Sequence, residues 1–512
     1  MATAQILPKE LRLAAPPTMP RARSYLYKQQ STQSLYNAGE TIQINLPRLQ
    51  RSYLTKDSYI KFALKVGAVG DGTNTTSVCL DAPGAYGLID KIEVYDYLGS
   101  TLLESTSGHG QLMSLLMDLN SGINGVSTHH NFSAGTFVQR ASGGLTTATA
   151  TLGTSTTPSA PASGVGGTTD GDTIRFLTTS GAPIVTSNAS ATVPVTYQRE
   201  FAIPIFSFLG LLSTKYAPLH NGYTINITLN PVATAFGITS NLSTDNTLAA
   251  QQAKNLEGRV TAQLYDVYYC CQILELGAEA EALLASSTGG QPLIVPTKAF
   301  RNYQGAFGAS VGSYRLDLNL NVASLTNILW MMRPSTSLVN GASRTLSDRI
   351  RNYLQSWYFQ YGSSILPQTS GIQCRSKSTT STNASYYGPG GAYDASEAYI
   401  ELLKSRHAFN QPTHTQKLSL KEFVQDAVDI AGFLSANNPA QTARFAAGLD
   451  LELVSGRSND MVCGMNTNGM NTSIYATFDN TAGTVAASRV DAWCEYDAFI
   501  NVMPGIATTV SF

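Results

Sequence analysis

Five small groups of residues have types and spacings that could do chemistry. Gly308, Ser310 and Gly312 spell the G-x-S-x-G of a hydrolase nucleophile elbow, which needs a strand before the serine and a helix after it. Here Tyr314, Leu316, Leu318 and Leu320 alternate with Arg315, Asp317 and Asn319. That is the period of a strand, so the helix is missing. Cys270 and Cys271 are adjacent, but no C-x-x-C or H-x-x-x-H accompanies them, so a metal would have to find its other ligands elsewhere. They read instead as strand residues on opposite faces. His129 and His130 open a polar stretch and are expected in solvent. Gly164, Gly166 and Gly167 precede no phosphate-binding helix and read as loop. Glu279 and Glu281 fall on an expected connecting helix with a solvated face. No catalytic, cofactor or metal residue is assigned, and no enzyme activity is expected.

The elements that would have to position such groups are better marked. Of 512 residues, 43% are hydrophobic, enough for two sizeable cores. Only 13% are charged, about half of the usual ~25%. The net charge of -1 argues against a whole-protein nucleic-acid footprint. A polar, weakly charged surface suits close packing against neighbours. Six cysteines (Cys79, Cys270, Cys271, Cys374, Cys463, Cys494) are too dispersed for a disulfide-stapled domain and point to a reducing compartment. Lys9, Glu10 and Arg12 stand where a secretory signal would be apolar. The apolar stretch from Phe201 to Leu212 is too short to span a bilayer.

Residues 1–36 read as an arm. They hold Pro8, Pro16, Pro17 and Pro20, with Lys9, Arg12, Arg21, Arg23 and Lys28 against Glu10 alone, and no period of 2 or 3.6. Such a segment gains order only by lying on something else. From residue 40 the period is 2: Ile42, Ile44 and Leu46; Ile60, Phe62, Leu64 and Val66; Ile92 and Val94; Tyr223, Ile225, Ile227 and Leu229; then Val260 through Tyr268. Each is a strand with one buried and one wet face, the mark of antiparallel sandwiches. Leu112, Leu115, Leu116 and Leu119 predict a helix. The Thr/Ser/Gly-rich stretch 121–195 reads as a surface insertion, with short strands near Phe176 and Val185.

The second half repeats the style at Tyr314–Leu320, Leu449–Leu453, Ile474–Phe478 and Val490–Val502. Asp394 to Glu397 and Ser419 to Glu422 read as capping boxes, the first opening a helix through Tyr399, Leu402 and Leu403. GSTLLESTSG (Gly99–Gly108) aligns without gaps to GSSILPQTSG (Gly362–Gly371) with six identities in ten. Arg259 and Val260 lead to Tyr265 and Asp266 much as Arg489 and Val490 lead to Tyr496 and Asp497. Two matches in one order favour an internal duplication. The expected fold is therefore all-β, two tandem antiparallel sandwiches with a few short helices in the connections.

Four stretches, spread over most of the chain, carry a family likeness: YLTKDSYIKF (Tyr53–Phe62), GLIDKIEV (Gly87–Val94) with its Gly99 turn and leucine helix, PTKAFRNY (Pro296–Tyr303), and GLDLE (Gly448–Glu452) followed by GMNT (Gly464–Thr467). The pattern resembles the double jelly-roll major capsid proteins of polinton-like viruses and virophages. That resemblance implies two eight-stranded jelly rolls, expected at 37–277 and 296–512, with 278–295 as connecting helix and linker. It implies a homotrimer of pseudo-hexagonal outline tiling an icosahedral virion shell, in contact with neighbouring capsomers, penton and minor capsid proteins. The arm cations Lys9, Arg12, Arg21, Arg23 and Lys28 would clamp a neighbour or touch DNA or an inner membrane, and 121–195 would be an outward tower. Family members that end in a cleaved tail differ from the short apolar Val502–Phe512, so proteolytic maturation does not carry over. The alternatives are an extracellular glycan-binding adhesin of two sandwiches and a double jelly-roll glycan-cleaving amidase.

Overall fold

The computed structural model describes residues 22–70, 72, 76–81, 83–120, 129–136, 185–187, 194–212, 216–240, 257–289, 291–335, 346–375, 395–406, 423–424, 426, 443–452, 463–481, 483–503 and 508–512. The first half contributes β1 (Ala22–Gln30), β2 (Leu35–Asn37), β3 (Thr41–Leu46), β4 (Ser52–Leu54), β5 (Tyr59–Ala68), β6 (Thr76–Leu80), β7 (Ile89–Asp96), β8 (Leu102–Ser107), β9 (Val185–Thr186), β10 (Val195–Pro204), β11 (Ala217–Pro218), β12 (Tyr223–Leu229), β13 (Phe236–Ser240) and β14 (Val260–Leu276). The second contributes β15 (Leu293–Phe307), β16 (Ser313–Asp317), β17 (Leu325–Pro334), β18 (Leu354–Tyr361), β19 (Ser364–Leu366), β20 (Ile372–Gln373), β21 (Ala447–Asp450), β22 (Thr472–Phe478), β23 (Ser488–Val502) and β24 (Thr509–Ser511). Helices α1 (His109–Asn120), α2 (His129–Ala134), α3 (Val232–Ala235), α4 (Ala278–Thr288) and α5 (Ser396–Lys404) lie in the connections.

The alternating runs become the inner faces. Ile42 and Ile44 on β3 sit opposite Ile227 and Ile225 on β12, which in turn oppose Ile92 and Val94 on β7. Three neighbouring strands thus offer one continuous apolar surface, and polar Gln43, Asn226 and Glu93 fall on the other side. In the first half the two main sheets run β1-β14-β5-β10 and β3-β12-β7-β8. In the second they run β15-β23-β17-β21 and β16-β22-β18-β19. Counting the eight principal strands of each half from its own start, both halves read 1-8-3-6 and 2-7-4-5. That is the jelly roll. The chain is two tandem antiparallel jelly-roll sandwiches, and among the described residues no strand of one half pairs with a strand of the other.

The duplicated peptide has the same place in both. Gly99 (φ 70°) turns β7 into β8 and Gly362 (φ 56°) turns β18 into β19, each in the left-handed region that favours glycine. In the first turn the Asp96 carboxylate accepts the Ser100 and Thr101 amides at 2.8 and 3.0 Å. The other match also holds, because β14 and β23 are the eighth strand of each roll and lie inside the sheet.

Several expectations need correction. Residues 22–30 are not arm but the first strand of the first roll, paired with β14 from Ala22↔Leu276 to Gln30↔Tyr268. β1 lies on a sheet edge, and from Arg23 to Gln30 it buries no side chain fully; Tyr25 and Tyr27 are only half-buried, so it has no apolar period to read. The stretch 121–195 is not all loop: α2 lies within it and Ala134 is fully buried. A strand does form at Val185, while Phe176 lies outside the described residues. Helix α5 forms, but its cap position is Ala395 with no side-chain cap, and Glu397 accepts the Gln373 amide at 3.0 Å instead. Asp394 and the Ser419–Glu422 box lie outside the described residues.

Candidate functional site: the seam between the two rolls

Among the described residues, the reactive-looking groups do not come together. Ser310 is exposed, with φ 60°, in the turn between β15 and β16, so a strand follows it and the elbow is lost. Cys270 and Cys271 are adjacent on β14, and both thiols are buried and free. Burial pushes the Cys271 thiol up to about 12. His129 and His130 open α2 rather than a loop. Gly164, Gly166 and Gly167 lie outside the described residues, as do Lys9, Arg12 and Arg21. Arg23 and Lys28 are on β1, and Arg23 is already paired with Glu275 at 2.7 Å. Among the described residues no three of His, Cys, Asp and Glu converge as metal ligands.

Glu281 departs from its expectation. It accepts the Tyr53 hydroxyl at 3.1 Å and lies 3.2 Å from His220 Nε2, without hydrogen-bond alignment. The connecting helix α4 is thereby tied to the first roll. Burial lowers the His220 pKa despite the Glu281 carboxylate beside it.

Polar chemistry is concentrated where the rolls meet. Helix α1, drawn inward by Leu112, Leu115, Leu116 and Leu119, is buried along almost its whole length. It holds Asp118 at 1% exposure, where the carboxylate accepts from Arg349 and, at 3.2 Å, from Arg444 Nη1. Both arginines belong to the second roll. Arg349 also donates to Ser114 Oγ at 3.2 Å, and desolvation lowers its pKa against the pull of Asp118. Asp81, just past β6, accepts the Leu346 and Ser347 amides at 2.9 and 3.2 Å. Trp493 on β23 donates from Nε1 to the Ser107 carbonyl at 3.0 Å. Gly108 leaves the indole its space: a Cβ there would stand 3.1 Å from the ring. Phe206 packs on Phe300 with centroids 5.2 Å apart, and Asn221 Nδ2 donates to the Met503 carbonyl at 2.9 Å.

Two titratable groups sit close to this seam. Glu104 on β8 is buried, which pushes its carboxyl up to about 7 even though the Ser207 hydroxyl and the Phe208 amide donate to it. Burial takes His109 down to about 4.

β23 shows why the seam was not legible. Val490, Ala492, Cys494 and Tyr496 form its inner face, as their alternation predicts, and the same alternation predicts a wet acidic face. Instead one Asp491 oxygen, Oδ2, accepts from Arg333 Nε and Nη2 at 2.9 and 2.6 Å, Glu495 pairs with Arg406 at 2.6 Å, and Asp497 with Lys298 at 3.0 Å. The one available signal was Trp493 among those acids.

No protein-family model and no curated protein matches the chain in sequence. Solved structures match its fold over nearly its full length. The Sputnik virophage structure covers 99% of this chain and 92% of its own at 12% identity, with a TM-score of 0.58. The PBCV-1 virus capsid structure covers 97% and 98% at 11% identity, with a TM-score of 0.52. The mavirus major capsid protein covers 100% and 94% at 12% identity, with a TM-score of 0.51. The two tandem rolls and their order are thus a double jelly roll of the kind seen in these capsid structures. Within that class the fold is similar to that of the two virophage proteins.

Proposed function

We propose that this chain is a major capsid protein, a structural subunit that forms pseudo-hexameric homotrimers tiling an icosahedral shell. The observation that carries this reading is the repeated roll: two copies of one topology locked side by side by a buried, ion-paired seam. Each chain then supplies two of six similar wedges, and three chains close the ring by symmetry. The domain division that fits has the first roll beginning at β1, α4 as connector, and the second roll beginning at β15.

The work such a subunit does is geometric, and catalysis has no part in it. Exposed Tyr97, Leu98, Leu211, Tyr216, Leu283 and Ile294 lie toward the end where β7 turns into β8 and β14 leads into α4. Side chains of this kind favour burial against partners. Neighbouring capsomers, penton and minor capsid proteins are the partners this reading supplies. DNA or an inner membrane would be met by Lys9, Arg12 and Arg21, since Arg23 is spent on Glu275. Five described cysteines, all buried and free, suit assembly in a reducing host compartment before residence in the virion.

Light scattering on the purified protein tests this. The expected mass is three times 54.6 kDa, and a strict monomer at micromolar concentration would overturn the reading.

A further inference from the structure

The seam is not filled everywhere. A cleft of about 630 Å³ opens between the rolls, lined from the first by Asp90, Gly108 and Gln111 and from the second by Asn302, Gln304 and Arg489. Its size falls within the range of small-molecule sites, roughly 300–1,000 Å³. These residues sit at strand ends opposite the Gly99 turn: Asp90 near the start of β7, Gly108 just after β8, Arg489 near the start of β23.

Hydrogen-bonding capacity in the cleft is unspent. Gln111 is 6% exposed, and its Oε1 has no partner among the described residues. A buried amide oxygen left bare is costly, so something should donate to it. The Asp90 and Gln304 side chains make no hydrogen bond with the described residues. The Asp90 carboxyl is raised by burial, against the pull of Arg489 and Lys91. Arg489 keeps 38% of its side chain exposed, with Nε 3.5 Å from Asp491 Oδ1. Asn302 has committed one amide hydrogen, to the Ala492 carbonyl at 3.3 Å.

The mixture selects a ligand chemistry. An anion would meet the Asp90 carboxyl, and Arg333, the second arginine of the lining, is held by Asp491. A cation would find a single uncommitted carboxylate, and an apolar group would leave the Gln111 oxygen bare. Hydroxyl groups, each both donor and acceptor, fit all of these side chains. We propose that the cleft binds a neutral saccharide of about disaccharide size, with Asp90 and Gln111 accepting from its hydroxyls and Gln304 and Arg489 donating to them. All of these side chains belong to one chain, so the site would persist in a monomer.

Saturation-transfer NMR on the full chain tests it, with lactose, maltose and chitobiose as neutral probes and sialyllactose and inorganic phosphate as charged ones. At least one neutral disaccharide should bind saturably with Kd on the order of 1 mM. Asp90→Asn should weaken that binding about tenfold, and Gln304→Trp, which fills the cleft, should abolish it with the melting midpoint kept. If the tryptophan variant does not fold, Gln304→Ala with Asp90→Asn gives the same reading. The proposal fails if no neutral disaccharide saturates by about 10 mM, if only charged probes bind, or if both Asp90→Asn and Gln304→Ala bind as the parent does.

Discussion

β14 and β23 hold the same place in their rolls and live in different surroundings. Along β14 the outward residues Thr261, Asp266 and Gln272 are exposed, and the inward set changes phase midway. Val260, Ala262 and Leu264 point in; after a bulge at Asp266 (φ 53°) the inward residues are Val267, Tyr269, Cys271 and Ile273. β23 is buried on both faces from Val490 to Ala498. One face fills its own roll, and the other carries Asp491, Trp493, Glu495 and Asp497 into the seam or under basic side chains. β17 and β23 of the second roll therefore form an interior layer, while the first roll's β14 keeps an exposed outer face. Duplicated topology need not mean duplicated environment: once two rolls are joined, only one of the two like sheets can face its neighbour.

The sharpest way to break this comparison is to remove a seam charge. Asp118→Ala leaves Arg349 and Arg444 buried without their carboxylate, and the expected cost is about 3–5 kcal/mol in urea unfolding. A loss below about 1 kcal/mol would mean that the seam is wet in solution.

The pH response is the next largest effect. An acid with a raised folded pKa binds more protons folded than unfolded between the two values. The Glu104 contribution to stability is therefore complete below about 4.5 and is lost as pH rises to about 7. His109 acts oppositely, since its lowered pKa removes stability as pH falls from 6.5 to about 4. The two partly cancel. Glu104→Gln should gain on the order of 2–3 kcal/mol relative to the parent at pH 8 and uncover the acid-side loss from His109. Melting curves between pH 4 and 8 that keep the parent's shape would remove Glu104 from this role.

Smallest are paired substitutions on the two equivalent strands. Trp493→Phe should cost about 1 kcal/mol through its lost bond to Ser107, whereas Thr261→Val on the outer face of β14 should stay within about 0.5 kcal/mol. Equal effects would show that the outer faces are alike after all.

Much of the architecture was legible because strand burial has a period of 2 and that period is written in residue type. The inner faces of β3, β5, β7, β12 and β22, the leucine helix, the Gly99 and Gly362 turns and the doubled order of rolls could all be read from local pattern. β1 could not be, since an edge strand with half-buried tyrosines has no apolar alternation to show. Nor could the helix cap at Ala395, where tertiary contact with Gln373 took the Glu397 carboxylate. The cleft was equally hidden, because Asp90, Gln111, Gln304 and Arg489 are separated by up to 399 positions and none forms a motif.

By itself the sequence determined that the chain folds as two β-sandwiches of one topology. It did so because each sandwich depends on its own alternating residues and its own turns. Only the tertiary structure decided which outer faces stay wet, which charges are buried and with what partner, and where a cleft is left open. Those outcomes depend on how one finished roll lies against the other, and no local period records that placement.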